Sequence, residues 1–382
     1  MQEEDNPFKF KNNLNSFTIG VELEVQILRR DNFELFSISP FLLEKIPQNI
    51  KKFIKPEFIQ SMIEITTGVC DNVTQVEKEL LYLYKELEKI CNSLDAMLFV
   101  SSLHPFSKIA QQKLFPDPRY KRLFNELQQI GRRFISQGLH VHIGVKDEDM
   151  AIKVYDRLLR WLPVLLAISS SSPFYQGRDT GFASYRSKLF KALPLSGMPE
   201  PLMSWDNFCF LTNTLKSVGI ISTIRDLWWD VRPHPTFGTV EIRICDVPMR
   251  FKQVVAIVAM IQALVSYVSE LDNDLNIDKY QDKLIFSYLL KYNKWQAARY
   301  GMNAKYVSIN DGNLIKRDIK DVFRELLEIL EPYFYRLKSD TYLKDLSSVI
   351  TRGSNADELR GLKQQGYNFK DIIVYFRKEF LS

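Results

Sequence analysis

The stretch that decides the fold is FTIGVELEVQIL, Phe17–Leu28, in which apolar residues alternate with glycine, acidic and amide residues. Alternation of this kind predicts a β-strand with one polar face. Glu22 and Glu24 project from that same face, while the apolar residues between them face the core. Two carboxylates so close repel each other unless a cation lies between them, and a hard divalent cation is the simplest remedy. A solvated strand face is the alternative interpretation of this segment alone.

A second stretch repeats the arrangement with imidazoles. Gly138–Gly144, GLHVHIG, alternates again and places His140 and His142, two of the four histidines, on one face of a strand. A lone histidine is more often a core residue, whereas a pair on one face favours a metal or phosphate site. Because the other candidate ligands are carboxylates, Mg²⁺ or Mn²⁺ fits better than zinc.

A third stretch holds opposite charges together. Thr239–Asp246, TVEIRICD, places Glu241 and Arg243 on a shared strand face. The alternatives are a cross-strand salt bridge, which stabilises a surface little, and a functional pair. In the functional interpretation Glu241 holds a metal ion and Arg243 meets a phosphate or carboxylate through its planar guanidinium.

Three strands with polar faces can lie side by side in one sheet, whose opposite face would be apolar and covered by helices. Val73–Asn92 has the spacing of an amphipathic helix, and Asp117–Arg133 is expected to be helical. Asp149–Ser169 is expected to be helical as far as Pro163, whereas Ser170–Pro201, rich in Ser, Gly and Pro, is expected to be a long loop. The chain beyond Gln253 has a helical pattern nearly to its end. The sequence therefore predicts an α+β fold. It consists of an antiparallel sheet with a polar catalytic face, helices on the other face and a helical C-terminal third.

Length and charge limit the class of protein. The 382 residues predict one domain, 1–382, with a strand-bearing part at 1–250 and a mainly helical part at 251–382. Lys and Arg are interleaved with Asp and Glu, so the net charge of +5 does not indicate nucleic-acid binding. Val254–Val268 is shorter than the ~20 residues of a membrane span, so a buried helix and no membrane contact are expected. The acidic segment Met1–Asp5 does not resemble a secretory signal, and we expect a cytoplasmic protein.

Common catalytic and nucleotide-binding motifs do not occur in the chain. The sequence has no GxxxxGK[ST] loop, GxGxxG fingerprint, HExxH helix or GxSxG turn. If a nucleotide binds, metal ions must therefore hold its phosphates. Four cysteines are far apart in the sequence and form no CxxC pair, so we expect core residues, not a zinc site or disulfides. They are Cys70, Cys91, Cys209 and Cys245.

The three polar strands, with further segments in the same order along the chain, resemble the glutamate–cysteine ligase type 2 family. These are bacterial carboxylate–amine ligases built on a glutamine-synthetase-like sheet, and the resemblance spans nearly the whole chain. The further segments are Glu64–Gly68, Ser101–Pro105, Ser171–Phe174, Gly177–Arg186, Trp228–Asp246, Lys294–Gly301 and Thr351–Asp357.

The resemblance implies a reaction and its cofactors. A substrate carboxylate attacks the γ-phosphate of ATP, and an amine then displaces phosphate from the acyl phosphate to leave an amide. ATP and Mg²⁺, or Mn²⁺, are the implied cofactors, and glutamate and cysteine are the default small-molecule substrates. A homodimer is plausible from the frequency of such assemblies.

The resemblance also assigns residues. The implied metal ligands are Glu22, Glu24, Glu57 or Glu64, His140 or His142, and Glu241. The implied catalytic residues are Arg243, Arg186 and Glu241. The implied anion-binding residues are Arg243, Arg186, Arg178 and Arg232, with His234 close to the same cleft.

Two of these assignments carry alternatives. Glu57 and Glu64 are seven residues apart, so both face one site only if the chain bends between them. Trp295 and Arg299 resemble a family segment, but their spacing on a helix suits packing equally well.

Two other functions compete with the ligase. A phosphotransferase acting on a small guanidino or carboxyl substrate could use the same sheet without coupling an amine. A non-catalytic nucleotide-binding protein could keep the fold, although the charged positions that a metal–phosphate site needs are all present.

Overall fold

The centre of the fold is a seven-stranded antiparallel sheet, seen in a computed structural model. The structure describes residues 9–13, 15–133, 135–271, 280–310 and 313–382. The acidic segment Met1–Asp5 lies outside the described residues.

The strands are numbered along the chain, and most of them lie in its first two thirds. They are β1 (Ile19–Arg29), β2 (Ile54–Pro56), β3 (Met62–Thr66), β4 (Ala96–Phe99), β5 (Leu139–Gly144), β6 (Phe174–Tyr175), β7 (Arg178–Asp179), β8 (Ser196–Gly197), β9 (Trp228–Trp229), β10 (Val231–His234), β11 (Thr239–Ile242), β12 (Lys305–Asn310) and β13 (Asn313–Asp318).

The helices are numbered in the same way and predominate in the last third. They are α1 (Ser39–Glu44), α2 (Gln48–Lys51), α3 (Val73–Asn92), α4 (Pro118–Leu127), α5 (Gln129–Arg132), α6 (Glu148–Leu158), α7 (Leu162–Ser169), α8 (Arg186–Phe190), α9 (Trp205–Ser217), α10 (Phe251–Glu270), α11 (Tyr280–Tyr300), α12 (Ile319–Arg336), α13 (Leu343–Arg352), α14 (Asn355–Gln364) and α15 (Phe369–Glu379).

Strand β1 organises the main sheet. The strand order is β10-β11-β5-β1-β3-β2, and β4 pairs with the far end of β1. On the apolar face, Leu23 lies opposite Leu139 on one side and Ile65 on the other. The period of two in the sequence therefore sorts apolar side chains to one face of the sheet and polar side chains to the other.

Helices cover the apolar face, as predicted. Helices α3, α6 and α10 contact the strands of the sheet, and α10 is itself packed between α3, α6 and α12. Helix α10 is long and apolar enough to cross a membrane, but 83% of its most apolar window is buried inside the fold. The predicted buried helix at Val254–Val268 is therefore confirmed as the central core helix.

The predicted α+β class with an antiparallel sheet is confirmed, and three local predictions need correction. The last third is not helical throughout, because β12 and β13 pair as an antiparallel hairpin. Pro163 does not end a helix; it lies in the first turn of α7, where its missing N–H has no intrahelical partner to lose. The stretch 170–201, expected as a long loop, contains the short elements β6, β7, α8 and β8.

Candidate functional site

The antiparallel register brings the predicted polar residues together on one face of the sheet. Glu22 on β1 lies opposite His140 on β5, and Glu24 lies opposite Glu64 on β3. Further along the same face, Glu241 on β11 lies between His142 and Arg232 on its two neighbouring strands. The ExE, HxH and ExR stretches therefore form one continuous floor, as the sequence analysis predicted.

This floor lines a cavity of about 260 Å³. Helix α4 and the segments before β10 form the facing walls. The walls contain apolar and aromatic side chains, and also cations. Those that the sequence analysis did not single out are Arg119, Tyr120, Leu123 and Leu127 from α4, with Phe190, Leu193, Arg225, Trp228 and Phe237.

A cluster of three carboxylates occupies one end of the floor. Glu24, Glu57 and Glu64 each offer an oxygen within 4.8 Å of the others. The chain turns between β2 and β3, which supplies the bend that brings Glu57 and Glu64 to the same site. The structure therefore brings both alternatives to the cluster, and Lys55, whose Nζ lies 3.7 Å from Glu64, is the cation beside it.

The electrostatics of this cluster fit a divalent cation. Burial, with the charge of Glu24, raises the pKa of Glu57 to about 8. Burial and the charges of Glu22 and Glu57 raise the pKa of Glu64 well above its usual value. Buried carboxylates that must otherwise hold protons are a suitable oxygen set for a hard ion such as Mg²⁺.

A second group of ligands lies around Glu22. Glu22, His142 and Glu241 form one set of possible metal ligands, and Glu22, Glu64 and His140 form another. Burial would raise the pKa of Glu22, but the contact with His140 and the ionic interactions with both histidines outweigh it and lower the pKa well below its usual value. Glu22 thus stays ionised beside both imidazoles.

The two histidines keep one ring nitrogen without a hydrogen bond. Nδ1 of His140 lies 3.2 Å from Glu22, and Nδ1 of His142 lies 3.0 Å from the hydroxyl of Thr239. In both rings the buried Nε2 has no hydrogen-bond partner. Burial lowers the pKa of His140, which favours the neutral imidazole that a metal ion requires.

Glu241 forms ion pairs with two guanidinium groups. Arg232 donates to both of its oxygens, from Nε at 2.6 Å and from Nη2 at 3.4 Å, and Arg243 also donates to it. Burial would raise the pKa of Glu241, but the two arginines outweigh it and lower the pKa well below its usual value. At this end of the floor one carboxylate meets two guanidinium groups, and the charge of Glu22 also acts on Arg243.

Two predicted anion-binding residues lie elsewhere. Arg178 is an exposed residue of the two-residue strand β7, outside the cavity lining. Arg186 is 3% exposed and donates to the backbone carbonyls of Arg243 and Ile244, each at 3.3 Å. The Gly- and Ser-rich segment around Arg186 turns inward behind the end of β11, and the predicted anion-binding roles of Arg178 and Arg186 stay predictions.

A buried acid holds this segment in place. Asp246 accepts hydrogen bonds from the hydroxyls of Ser172 at 2.7 Å and Ser184 at 2.8 Å, and lies 3.9 Å from Arg186. Arg186 therefore holds the backbone that carries Arg243, and we predict a positioning role for it. Of the other residues left open, Arg299 donates to the carbonyl of Gly181, which is a packing role.

Some residues of the cavity lining were not predicted, although the sequence pattern could have indicated them. Lys55 precedes Glu57 by two residues, the same spacing as in the ExE stretch. Phe237 lies between His234 and the ExR strand, in a turn rich in Pro and Gly. The α4 residues carried no such signal, because only the tertiary fold brings that helix over the sheet.

Comparisons of sequence identify relatives over most of the chain. The family model described as glutamate–cysteine ligase family 2 matches residues 18–370. A protein of Thermobifida fusca (strain YX), named "Putative glutamate--cysteine ligase 2", is 34% identical over 368 residues, which cover 95% of this chain and 90% of that protein. A protein of the same name from Bdellovibrio bacteriovorus is 37% identical over 331 residues, covering 86% and 85%.

Solved structures share the fold at low sequence identity. The crystal structure of glutamate–cysteine ligase from Francisella tularensis in complex with AMP superposes with a TM-score of 0.71 at 15% identity, covering 97% of this chain and 89% of that chain. A bifunctional glutathione synthetase from Pasteurella multocida gives a TM-score of 0.70 at 14% identity, covering 96% of this chain and 52% of that chain. The α+β architecture is therefore one that known ligases use.

The carboxylate cluster predicts proton-linked metal binding. In the metal-free protein, the free energy of unfolding should fall as the pH rises from about 4.5 to about 8, because folded Glu57 and Glu64 keep protons that the unfolded chain has released. Mg²⁺ should displace these protons, so its affinity should increase over the same range. Calorimetric titration at pH 7 in two buffers of different ionisation enthalpy should show release of about one to two protons per ion.

The double variant Glu57→Gln, Glu64→Gln is the control for this titration and should bind Mg²⁺ weakly with little proton release. Binding of Mg²⁺ that is independent of pH between 6 and 9 would place the ion elsewhere.

Arg186 and Arg178 form a matched pair of variants that tests whether Arg186 positions the backbone or contacts a substrate. Arg186→Met should destabilise the fold by about 3 kcal/mol, because it leaves Asp246 buried without its cation. Arg178→Met should change stability by less than about 0.5 kcal/mol, since the side chain is exposed. Thermal unfolding measures both. An Arg186→Met protein with wild-type stability and lost turnover would instead make Arg186 a substrate contact.

Proposed function

The chain belongs to the glutamate–cysteine ligase family 2, and on that premise we propose that it activates a carboxylate with ATP and Mg²⁺ and couples it to an amine. Membership makes the chain a carboxylate–amine ligase. The observation that best supports the finer proposal is the pairing, in one cavity, of a cluster of three carboxylates with the guanidinium of Arg243. These are the two kinds of group that ATP-dependent phosphoryl transfer needs.

The carboxylate end of the cavity would hold the metal ions. Glu24, Glu57 and Glu64 form one ligand set, and Glu22 with His142 and Glu241 forms another. Bound Mg²⁺ would neutralise charge on the ATP phosphates during transfer. The chain's own part is to keep these oxygens fixed on rigid strands, so that little rearrangement is needed when charge moves.

Arg243 is the residue best suited to the transferred phosphate. Arg232 donates two hydrogen bonds to Glu241 and Arg243 donates one, so the guanidinium of Arg243 keeps further N–H donors for an anion. Its planar group can donate to two phosphate oxygens at once. Because Arg186 holds the carbonyl of Arg243, the guanidinium starts from a fixed backbone.

A covalent enzyme intermediate is not part of the proposal. Burial raises the pKa of Cys70 and of Cys245 to about 12, so neither is a ready nucleophile at neutral pH. Among the residues that the structure describes, the cavity lining contains no cysteine. The substrate carboxylate itself would attack the γ-phosphate, giving ADP and an acyl phosphate, and the amine would then displace phosphate to form the amide.

The experiment that tests the proposal is a screen of amino acids and amines for ATP-dependent phosphate release, starting with glutamate and cysteine. Equal amounts of ADP, phosphate and amide, formed only with Mg²⁺ or Mn²⁺, are expected. ADP with a phosphorylated product and little free phosphate would show a phosphotransferase. Binding of Mg-ATP without turnover would show a nucleotide-binding protein.

The role of Arg243 predicts a selective kinetic defect. Arg243→Lys should lower turnover by roughly 10²–10³-fold, because lysine keeps the charge but cannot grip two phosphate oxygens. Thermal stability should change little, since Arg232 still neutralises Glu241. Initial-rate kinetics with saturating ATP measure the effect.

Arg250→Lys is the matched control for Arg243→Lys. Arg250 also forms a bidentate pair, with Glu358 at 2.6 Å for both bonds, but it lies outside the cavity lining. Its lysine variant should keep normal turnover. If Arg243→Lys also turned over normally, Arg243 would be only a salt-bridge partner of Glu241.

A further inference from the structure

A lysine outside the catalytic cavity lies between two aromatic rings. Lys188, on the short helix α8, is half-buried and is not part of the cavity lining. Its Nζ lies 5.2 Å from the centre of the Phe182 ring and 6.0 Å from the centre of the Trp295 ring. Trp295 belongs to the segment Lys294–Gly301, which the proposed mechanism does not use. An ammonium group in such a slot gains contact with the rings but loses part of its hydration.

The nearby carboxylate of Asp230 is already paired with another lysine. Nζ of Lys294 donates to Asp230 at 2.6 Å, and both of these side chains are largely buried. Such a pair holds firmly, because separating it leaves a buried charge without a partner. Among the residues that the structure describes, no carboxylate forms an ion pair with Lys188.

The surroundings of Lys188 favour its neutral amine. Burial, with the charges of Lys294 and Lys191, lowers the pKa of Lys188 to about 8, and the opposing effect of Asp230 is weaker. At pH 7 about one molecule in ten then carries the neutral amine, which is the nucleophilic form of the side chain.

Helix α8 holds this amine in a fixed place. Two positions before the lysine, Arg186 donates to the carbonyl of Ile244 at 3.3 Å, and the hydroxyl of Ser187 donates to the carbonyl of Ser184 at 2.8 Å. Because the backbone is anchored directly beside it, Lys188 presents its amine from a rigid support while part of the side chain still meets solvent.

The charge around the slot selects the kind of reagent that can reach the amine. The pair of Lys294 with Asp230 is balanced, so Lys188 and Lys191 leave this surface with positive charge. The guanidinium of Arg299 adds to it, 5.7 Å from the centre of the Phe182 ring. Positive charge raises the local concentration of anionic reagents over neutral ones. Among acyl donors, an acyl phosphate carries negative charge on its leaving group.

We propose that Lys188 is a modification site at which a small acyl phosphate acylates the ε-amine. The nitrogen attacks the carbonyl carbon, a C–N bond forms as the C–O bond to phosphate breaks, inorganic phosphate leaves, and the proton of the amine passes to water. The product is an uncharged amide in a slot lined by aromatic rings. This inference goes beyond the proposed function and does not depend on it, because the acyl donor comes from solution and no ATP is needed.

The test is acetylation of the whole protein by acetyl phosphate, followed at each lysine by mass spectrometry of peptides. At pH 7 Lys188 should react about tenfold faster than Lys191, because its larger fraction of neutral amine outweighs its lower basicity. The rate at Lys188 should rise with pH and level off above about 8. Lys191 is the internal control, since it is exposed and follows Lys188 closely in the same chain.

A change in one wall of the slot should slow the reaction. Trp295→Ala should lower the rate at Lys188 at pH 7 about threefold, because it admits water to the ammonium group. Tyr288→Ala, which removes a 69% exposed ring elsewhere on α11, is the matched control and should leave the rate unchanged. Thermal unfolding checks that both variants fold, and Trp295→Leu replaces Trp295→Ala if the latter does not.

A neutral donor, phenyl acetate, tests the role of charge. With phenyl acetate the preference for Lys188 over Lys191 should be about threefold smaller than with acetyl phosphate. Four results would each overturn the proposal. They are equal rates at Lys188 and Lys191, a rate at Lys188 that still rises steeply above pH 9, an unchanged rate in the Trp295 variant, and the same preference with both donors.

Discussion

Repulsion between buried carboxylates is the constraint on which the rest of this structure depends. Antiparallel pairing places Glu24 opposite Glu64, and the turn before β3 adds Glu57 to the same cluster. Such a cluster is stable only if protons, or a cation, reduce its charge, and the raised pKa values of Glu57 and Glu64 show that the folded chain alone relies on protons. The fold can hold this arrangement because its other face buries a continuous apolar core beneath three helices.

The charge pattern along the floor changes sign over a few strands. At the β3 end three carboxylates stand with Lys55 as the nearby cation, whereas at the β11 end Glu241 is flanked by Arg232 and Arg243. A ligand with bound cations at one side and free phosphate oxygens at the other would match both ends. Charge complementarity along the floor is therefore what supports the proposed metal-bound nucleotide, more than the presence of either group alone.

Sequence periodicity predicted which residues lie on each face of the sheet. It did not predict where the segments without periodicity pack around the sheet. Because side chains in a strand alternate strictly, Glu22 and His140 could be placed on polar faces from sequence alone, and the antiparallel sheet then had to bring them together. Arg186 could not be placed in this way, since it lies in a segment without periodicity whose path depends on the buried Asp246. The hairpin β12–β13 was missed because its short alternation lies between long helices that dominated the pattern.

One glycine at the start of the HxH stretch lies against both a structural side chain and candidate site residues. Gly138 precedes His140 by two positions, and a Cβ on it would lie 2.2 Å from Nη2 of Arg186 and 2.7 Å from Nε2 of His140. Its backbone N–H donates to Glu24 at 2.7 Å, so the same residue also orients one of the three clustered carboxylates. Glycine is required because a structural cation, a candidate ligand and a strand all converge within contact distance. The site is therefore built into the sheet, and the residues that hold the strands in register are the ones that set the geometry of the chemistry.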